Sequence, residues 1–235
     1  MEKQTKTFII NLIAGPGCGK TTMCAQLFVK LKLLGFVVEY VQEHAKNLVW
    51  KKDFETLNNQ YMVTKTQYDL LKQIDGKVEF ILTDGPIVNA LFYNRFNAGN
   101  TSNVDKTEQF ILKCHSEFNN INIFLERGNF TYEQAGRIQT EEQSKEIDVI
   151  LKHLLKANNI PFKCFKSDIH NTNGIIAEIL IQANKQKKLN NKDDEQIYGP
   201  FSISNHALAT QKKLLKKCNE ANQYNIKSSD FFAKH

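Results

Sequence analysis

The segment from Ala14 to Thr22 reads Ala-Gly-Pro-Gly-Cys-Gly-Lys-Thr-Thr, and it lies between an apolar run over 8–13 and a stretch of helical periodicity. This arrangement is typical of a phosphate-binding P-loop, with Ala14 in place of the first glycine of the usual G-x-x-x-x-G-K-[ST] pattern. Its glycines let successive backbone N–H groups face a phosphate chain, and the following helix adds the positive end of its dipole. The segment therefore predicts a site for a nucleoside triphosphate with Mg²⁺.

Each P-loop residue has an expected role. Lys20 is expected to reach the outer phosphates, and the Thr21 hydroxyl is expected to bind Mg²⁺. Cys18 is expected to contribute its backbone N–H rather than redox chemistry. The predicted nucleotide-binding residues are Gly15, Pro16, Gly17, Cys18, Gly19, Lys20, Thr21 and Thr22.

Composition and length predict a globular cytoplasmic protein without a membrane partner. The chain has 235 residues, 41% of them hydrophobic, which is ample for an ordinary core. None of its apolar runs approaches the roughly 20 residues that a membrane span needs, and the start of the chain lacks the apolar stretch of a signal peptide. The five cysteines are scattered without a C-x-x-C pair, so neither a disulfide framework nor a zinc site is indicated.

Apolar runs alternate with helical patterns along the chain. Strands are predicted at about 7–13, 36–41, 78–84, 121–125 and 161–165. Helices are predicted at about 19–34, 56–74, 86–96 and 105–117, and a capping box over 140–143 opens a further helix. The alternation predicts an α/β fold, a P-loop kinase-like parallel five-stranded sheet flanked by helices, with ligands at the carboxyl ends of the strands.

The C-terminal part differs in composition. A P-loop kinase domain is predicted over 1–185, and a basic extension that is helical and docked on it over 186–235, with an amphipathic helix near 205–222. The extension has nine basic and five acidic residues, whereas 1–185 has 22 and 20. This excess of basic residues is compatible with nucleic-acid binding through the extension. A solvated lysine-rich surface is the more common explanation of such an excess. Assembly into a homo-oligomer is a further prediction that stays open.

Asp84 follows the third predicted strand, at the position of a Walker B carboxylate. It is expected to hold Mg²⁺ through water or to accept a proton from a substrate hydroxyl. Gly85 comes next, where a motor ATPase normally has an acidic residue, so the sequence argues against a mechanical ATPase.

An arginine-bearing lid is predicted over 126–137, between the fourth strand and the capped helix. Arg127 and Arg137 are expected to neutralise charge on phosphate oxygens and to exclude water when the lid closes. The alternative is that they form surface ion pairs with Glu126 or Glu133.

The end of the second strand carries two carboxylates near the expected acceptor site, in the stretch Val38-Glu39-Tyr40-Val41-Gln42-Glu43. This stretch resembles the E-Y-x-R-E signature of the ribosylnicotinamide kinase domain of NadR-like proteins, with Gln42 in place of the arginine. Two further features are similar to that family: Gln67 seventeen residues before Asp84, and an Ala-Gly-Arg lid sequence that ends at Arg137. The resemblance covers about 7–170.

Deoxynucleoside kinases have a similar arrangement of site residues, in which a glutamate on the second strand acts as the base and a glutamine binds the nucleobase. The resemblance implies that Glu39 or Glu43 acts on a sugar hydroxyl and that Gln67 contacts the substrate. Tyr40 is a candidate for stacking on a planar base. Each of these residues could instead have an ordinary structural role.

Together these features predict a kinase that uses ATP and Mg²⁺ to phosphorylate a hydroxyl of a nucleoside, nucleotide or related ribosyl compound. A carboxylate, Glu39, Glu43 or Asp84, would orient that hydroxyl. Two alternatives stay open: a kinase for a hydroxyl within DNA or RNA, and a nucleotide-dependent switch or interaction protein without a phosphoryl acceptor.

Overall fold

The computed structural model describes residues 6–129 and 131–195. Its centre is a parallel sheet with the strand order β2-β3-β1-β4-β5. The strands are β1 (Phe8–Ile13), β2 (Val38–Val41), β3 (Phe80–Thr83), β4 (Asn119–Glu126) and β5 (Lys163–Lys166). The predicted α/β fold with five parallel strands is confirmed.

Helices connect the strands and cover both faces of the sheet. They are α1 (Lys20–Leu33), α2 (His44–Lys51), α3 (Phe54–Asn58), α4 (Gln60–Ile74), α5 (Ala90–Phe96), α6 (Val104–Ser116), α7 (Glu141–Ala157) and α8 (Thr172–Glu195). The predicted capping box is present, since the Thr140 hydroxyl accepts from Gln143 N and the Gln143 side chain accepts from Thr140 N.

Two predicted helices differ from the observed ones. The helix expected over 56–74 is interrupted at Asn59, which ends α3 and accepts a hydrogen bond from Met62 N at 3.1 Å to cap α4. Helix α5 begins at Ala90, after a 3₁₀ turn over Ile87–Asn89, rather than at 86. The Asn59 side chain interrupts the first helix because it competes for a backbone N–H group, whereas Pro86 has an extended backbone and precedes the 3₁₀ turn that leads into α5.

The core has two halves, one on each face of the sheet. Alternate residues of β1 point to opposite faces, as strand geometry requires. Ile10 packs in a cluster that includes Leu27 of α1 and Ile179 of α8. Ile9 packs in the other cluster, which includes Leu151 of α7. Burial on both faces explains why the central strands are almost continuously apolar.

Polar side chains interrupt this apolar centre at the pairing of β1 with β4. The Asn11 amide donates to Asn120 Oδ1 and Asn122 Oδ1, both at 2.9 Å, and Asn122 Nδ2 donates to Pro161 O at 3.0 Å. Because these bonds form only when Asn11 lies opposite Asn122, they favour one register between two apolar strands that otherwise slide easily.

The strand order brings the ends of three strands together. Strand β3 lies between β1 and β2, so the carboxyl ends of these strands open on the same edge of the sheet. The loops that follow Ile13, Val41 and Thr83 therefore converge there, which is where ligands bind in open α/β sheets.

The chain divides into units 1–186 and 187–235, and the fold and site described here belong to the first. The predicted domain boundary between 185 and 186 lies within helix α8, and the two-part organisation stays a prediction. The amphipathic helix expected at 205–222 lies outside the described residues. Among the described residues, none of the helices combines the length and apolar character needed to cross a membrane.

Truncating a central leucine tests the importance of the buried sheet. Leu82 of β3 is fully buried, and Leu82→Ala is expected to lower the free energy of unfolding by about 2–5 kcal/mol through a cavity. Leu33 of α1 is 82% exposed, so Leu33→Ala should change stability by about 0.5 kcal/mol or less. Urea unfolding of both variants makes the comparison, and equal effects would contradict this packing.

Candidate active site

The loop between β1 and α1 wraps around the amine of Lys20. Gly17 and Gly19 have φ angles of 70° and 78°, which residues with a Cβ rarely adopt. These two positions let the backbone turn inward, and Lys20 Nζ donates to Ala14 O and Gly15 O, both at 3.1 Å. The loop therefore forms a ring of backbone groups around a cation at the start of α1.

Asp84 links the three converging loops. Thr21 Oγ1 donates to Asp84 Oδ2 at 2.5 Å, and Glu43 N donates to Asp84 Oδ1 at 3.0 Å. The carboxylate thus joins the start of α1 and the start of α2 to the end of β3. Within the described residues, no cluster of three or more His, Cys, Asp or Glu side chains has metal-binding geometry. A hydroxyl beside one carboxylate nevertheless suits Mg²⁺, which keeps several waters and takes further oxygens from phosphates.

The Glu43 carboxyl lies among charged groups at the centre of the site. Burial raises its pKa, and the nearby Asp84 charge raises it further, while the cations of Lys20, Lys46 and Arg137 lower it. These influences place the carboxyl within electrostatic reach of residues from four segments of the chain. Its raised pKa makes it a better proton acceptor near neutral pH than an exposed glutamate.

Glu39 and Tyr40 lie apart from this centre. Glu39 is in the middle of the edge strand β2, before the carboxyl end where the loops converge, and its half-exposed side chain lies 3.6 Å from Lys32 Nζ. Tyr40 packs against the core on the α1 face of the sheet. Its buried hydroxyl lies beside Asp84, and burial together with that charge raises its pKa. The structure therefore brings neither residue to the cavity, contrary to the expected catalytic and substrate roles.

The Gln67 side-chain amide forms hydrogen bonds with the backbone of the residues before and after Glu43. Its Oε1 accepts from His44 N at 2.9 Å, and its Nε2 donates to Gln42 O at 3.3 Å. The side chain is buried and lines the cavity. Gln67 thus holds the segment that carries Glu43, and its predicted contact with a substrate stays a prediction.

A cavity of about 900 Å³ extends from the P-loop into the helical layer. Of the predicted nucleotide-binding residues, its lining includes Pro16, Gly17, Gly19, Lys20, Thr21 and Thr22. Away from the P-loop the lining combines aromatic rings with neutral amides, namely Phe54, Phe92, Tyr93, Phe96, Asn58, Gln60 and Asn97. The cavity therefore joins a cationic end at the P-loop to an aromatic and amide-lined end.

Two predicted P-loop residues are outside that lining. Gly15 N donates to the carboxylate of Asp148 on α7 at 2.6 Å. Cys18 is buried, and its thiol lies 3.3 Å from Leu125 O. Burial raises the pKa of Cys18 to about 11, so the group is a neutral thiol at physiological pH rather than a reactive thiolate.

Arg127 is part of the support of the P-loop. Its Nε lies 2.7 Å from Asp148 Oδ2, and its Nη2 donates to Pro16 O and Ser144 O, both at 2.9 Å. Burial raises the pKa of Asp148, while the Gly15 N–H and Arg127 oppose that shift. This buried pair ties the start of the P-loop to α7, so Arg127 does not lie free in the lid as predicted. A lone aspartate within a helix carries no motif, and Asp148 was not foreseen.

The lid segment after β4 contacts the P-loop through an aromatic ring. A Cβ added at Gly17 would lie 2.2 Å from Cε2 of Tyr132, so only glycine fits under that ring. The Tyr132 hydroxyl donates to Gln139 O at 2.8 Å, which holds the ring in place. On the other side of the lid, a Cβ at Gly136 would lie 2.5 Å from the ring of Trp50.

Arg137 lies at the lid's inner surface. It lines the cavity, its guanidinium lies over the Tyr132 ring at 5.4 Å, and its Nη1 is 3.7 Å from Glu133 Oε2. Glu133 is 74% exposed on its side chain, so this ion pair is weak and leaves the cation available to a ligand. Of the predicted site residues, Lys20, Thr21, Glu43, Asp84 and Arg137 are brought together.

A smaller cavity of about 390 Å³ lies at the carboxyl end of β5. It is lined by Arg127, Gly128, Asn129, Lys166, Ser167, Asp168, Ile169 and His170. Because Arg127 also contacts Pro16 O, this cavity adjoins the P-loop.

Comparisons with known proteins give a family model and similar solved structures. Residues 9–171 match the family model described as an AAA domain. Curated proteins give no sequence match. A solved structure of deoxyadenosine kinase from M. mycoides, with the products dCMP and a flexible dCDP bound, matches with a TM-score of 0.43 and 18% sequence identity. The match covers 77% of this chain and 99% of that chain.

Breaking the buried pair between Arg127 and Asp148 should be costly. Asp148→Ala removes the counter-ion of Arg127 and the acceptor of Gly15 N, and a loss of about 3 kcal/mol in the free energy of unfolding is expected. The matched control is Asp69→Ala, which breaks an exposed helical pair with Lys65 and should cost about 0.5 kcal/mol or less. Chemical unfolding measures both, and a loss at Asp148 as small as that at Asp69 would refute the structural role.

Proposed function

The chain belongs to the AAA domain family, whose members carry a nucleotide-binding P-loop, and on that premise we propose that it is a kinase. It transfers the γ-phosphoryl group of ATP to a hydroxyl of a nucleoside, nucleotide or related ribosyl compound. The observation that carries the proposal is the position of Glu43, a carboxyl of raised pKa, between the P-loop and a second, amide-lined end of the same cavity. A protein that only hydrolyses or senses a nucleotide has no need of that second end.

ATP binding uses the P-loop and the two cations that face the cavity. Lys20 Nζ is held by carbonyls of the loop and would exchange them for oxygens of the β- and γ-phosphates. The first N–H groups of α1 and the helix dipole favour the same negative charge. Arg137 approaches from the lid, where a planar guanidinium suits phosphate oxygens. We expect the base of ATP to bind in the smaller cavity beside Arg127, because that cavity adjoins the P-loop through the contact of Arg127 with Pro16 O.

Thr21 and Asp84 are the residues that would hold Mg²⁺, since their hydroxyl and carboxylate oxygens lie 2.5 Å apart and both face the P-loop. When bound, the ion neutralises charge on the phosphate oxygens. Tyr132 on Gly17 and Trp50 on Gly136 hold the lid over the loop, and a closed lid excludes water that would compete with the acceptor.

The transfer step needs an oriented hydroxyl and a place for its proton. The acceptor oxygen attacks the γ-phosphorus, the bond from that phosphorus to the β–γ bridging oxygen breaks, and ADP leaves. Glu43 accepts the hydroxyl proton, for which its raised pKa suits it. The transition state of such transfers is loose, so the position of Glu43 matters more than its strength as a base. Asp84 fixes that position through the Glu43 N–H, and Gln67 fixes it through backbone groups of Gln42 and His44.

The far end of the cavity supports a nucleoside-like acceptor. Phe54, Phe92 and Phe96 offer faces for a flat ring, while Asn58 and Gln60 are neutral groups able to hydrogen-bond a ring edge. The described residues at that end include no arginine or lysine cluster that would select a further phosphate group. Ribosylnicotinamide, implied by the resemblance to NadR-like proteins, belongs to the same chemical class.

The two strand-two carboxylates give a direct test. With γ-labelled ATP and Mg²⁺ against a panel of nucleosides, nucleotides and ribosylnicotinamide, Glu43→Gln is expected to lower kcat about 100-fold because the proton acceptor is lost. Glu39→Gln is the matched control and should leave kcat unchanged, since Glu39 lies at the surface beside Lys32.

The pH dependence gives a second measurement on the same proteins. Glu43 acts when deprotonated, so the rate should fall as the pH drops through its pKa, which burial places above the ordinary glutamate range. Glu43→Gln should lack that acid limb. A Glu39→Gln variant that loses activity while Glu43→Gln retains it would contradict the assignment of the base.

A further inference from the structure

Asn89 has a buried side-chain oxygen without a hydrogen-bond partner in the described part of the chain. The residue ends the 3₁₀ turn Ile87–Asn89, its side chain lines the large cavity, and it is 8% exposed. Its Oδ1 is buried and unpaired. Buried amide oxygens are nearly always paired in folded proteins because leaving one unpaired is destabilising. The oxygen is therefore a candidate for contact with a ligand.

The orientation of this amide is determined by the P-loop. Asn89 Nδ2 donates to Ala14 O at 3.3 Å, and Lys20 Nζ donates to the same oxygen at 3.1 Å. Turning the amide round would place Oδ1 against the Ala14 carbonyl oxygen, and two acceptors cannot pair. Oδ1 is thus the free atom, and it lies at the end of the cavity where Lys20 meets the phosphate-binding loop.

Tyr93 lies one helical turn after Asn89, on the same face of the chain. Its hydroxyl has no hydrogen bond among the described residues, and burial, followed by the charge of Glu43, raises its pKa. The end of the 3₁₀ turn and the first turn of α5 therefore present an amide oxygen and a hydroxyl to the cavity that the Glu43 carboxyl also lines.

We infer that Asn89 Oδ1 accepts a hydrogen bond from the phosphoryl acceptor, which therefore carries a second donor, a hydroxyl or N–H, beside the hydroxyl that is phosphorylated. The inference rests on the proposed kinase function. A sugar with neighbouring hydroxyls provides such a pair, whereas a simple alcohol with one hydroxyl would leave the oxygen buried and unpaired. Asn89 is then a substrate-binding residue that rejects acceptors lacking the second donor.

The test compares two buried asparagines of one helical segment, the 3₁₀ turn and helix α5 over 87–96. Asn89→Leu removes the free oxygen, and it should raise the KM of the acceptor about tenfold, as expected for the loss of one hydrogen bond. The Kd of Mg·ATP should stay within about twofold, a change too small to indicate lost phosphate contacts. The variant also loses the Nδ2 bond to Ala14 O, but that oxygen keeps its bond from Lys20 Nζ, so the temperature of unfolding should fall less than in the control variant below.

Asn94→Leu is the matched control. Asn94 is 1% exposed, its Nδ2 donates to Val104 O at 2.8 Å, and its Oδ1 accepts from Asn100 Nδ2 at 3.1 Å. Because its groups are already paired within the protein, this variant should unfold at a lower temperature and keep the acceptor KM of the unchanged protein. A purely structural role of Asn89 would give the Asn94 pattern at both positions.

A second measurement uses the unchanged protein and does not depend on the folding of a variant. Ribonucleosides, deoxyribonucleosides, their monophosphates and ribosylnicotinamide are each offered with γ-labelled ATP. Every acceptor found is then compared with analogues that lack one hydroxyl or N–H apiece. One analogue that retains the phosphorylated hydroxyl should lose about tenfold in kcat/KM, and Asn89→Leu should not discriminate against that analogue.

The outcomes separate the two claims. If none of the compounds is labelled by the unchanged protein, the kinase proposal fails and this inference fails with it. If an acceptor is labelled but every such analogue performs equally, or Asn89→Leu keeps the acceptor KM, the role of Asn89 alone is overturned.

Discussion

The carboxylate of Asp84 is the interaction on which the site depends. One oxygen accepts from the Thr21 hydroxyl and the other from the backbone N–H of Glu43. These two bonds fix the start of α1 and the start of α2 relative to the end of β3. The parallel order of β1, β3 and β2 makes this convergence inevitable, because the loops after neighbouring parallel strands meet at one edge. The P-loop, the Thr21–Asp84 pair proposed to hold Mg²⁺ and the proposed proton acceptor Glu43 thus lie together.

The P-loop is fixed to helix α7 by an ion pair and is also contacted by the lid segment over 126–137. Arg127 and Asp148 form a mostly buried pair that ties the P-loop to α7, and the loop carbonyls around Lys20 complete that support. A buried pair contributes little net stability compared with apolar packing, so its value lies in fixing positions. The lid touches the loop through Tyr132 on Gly17, a contact that glycine alone permits.

Sequence patterns predicted much of this arrangement and failed in identifiable places. Period-two and period-3.6 signals depend on neighbours in the chain, so the strands, the P-loop turn and the cap at Thr140 were predictable. The pairing of Arg127 with Asp148 depends on residues far apart in sequence, and no local pattern carries it. Glu39 and Glu43 are alike in sequence, and only the exact end of β2 separates a surface carboxylate from a central one. Strand ends are where pattern reasoning is weakest.

The most direct measurement of kinase activity compares the amount of ADP formed with the amount of labelled phosphoryl group transferred to an acceptor. With γ-labelled ATP, Mg²⁺ and the acceptor panel, the account predicts one phosphorylated acceptor for each ADP formed, and no label transfer by Lys20→Ala, whose amine the P-loop surrounds. ADP formation that proceeds at the same rate without any acceptor, with the label appearing only as inorganic phosphate, would contradict it.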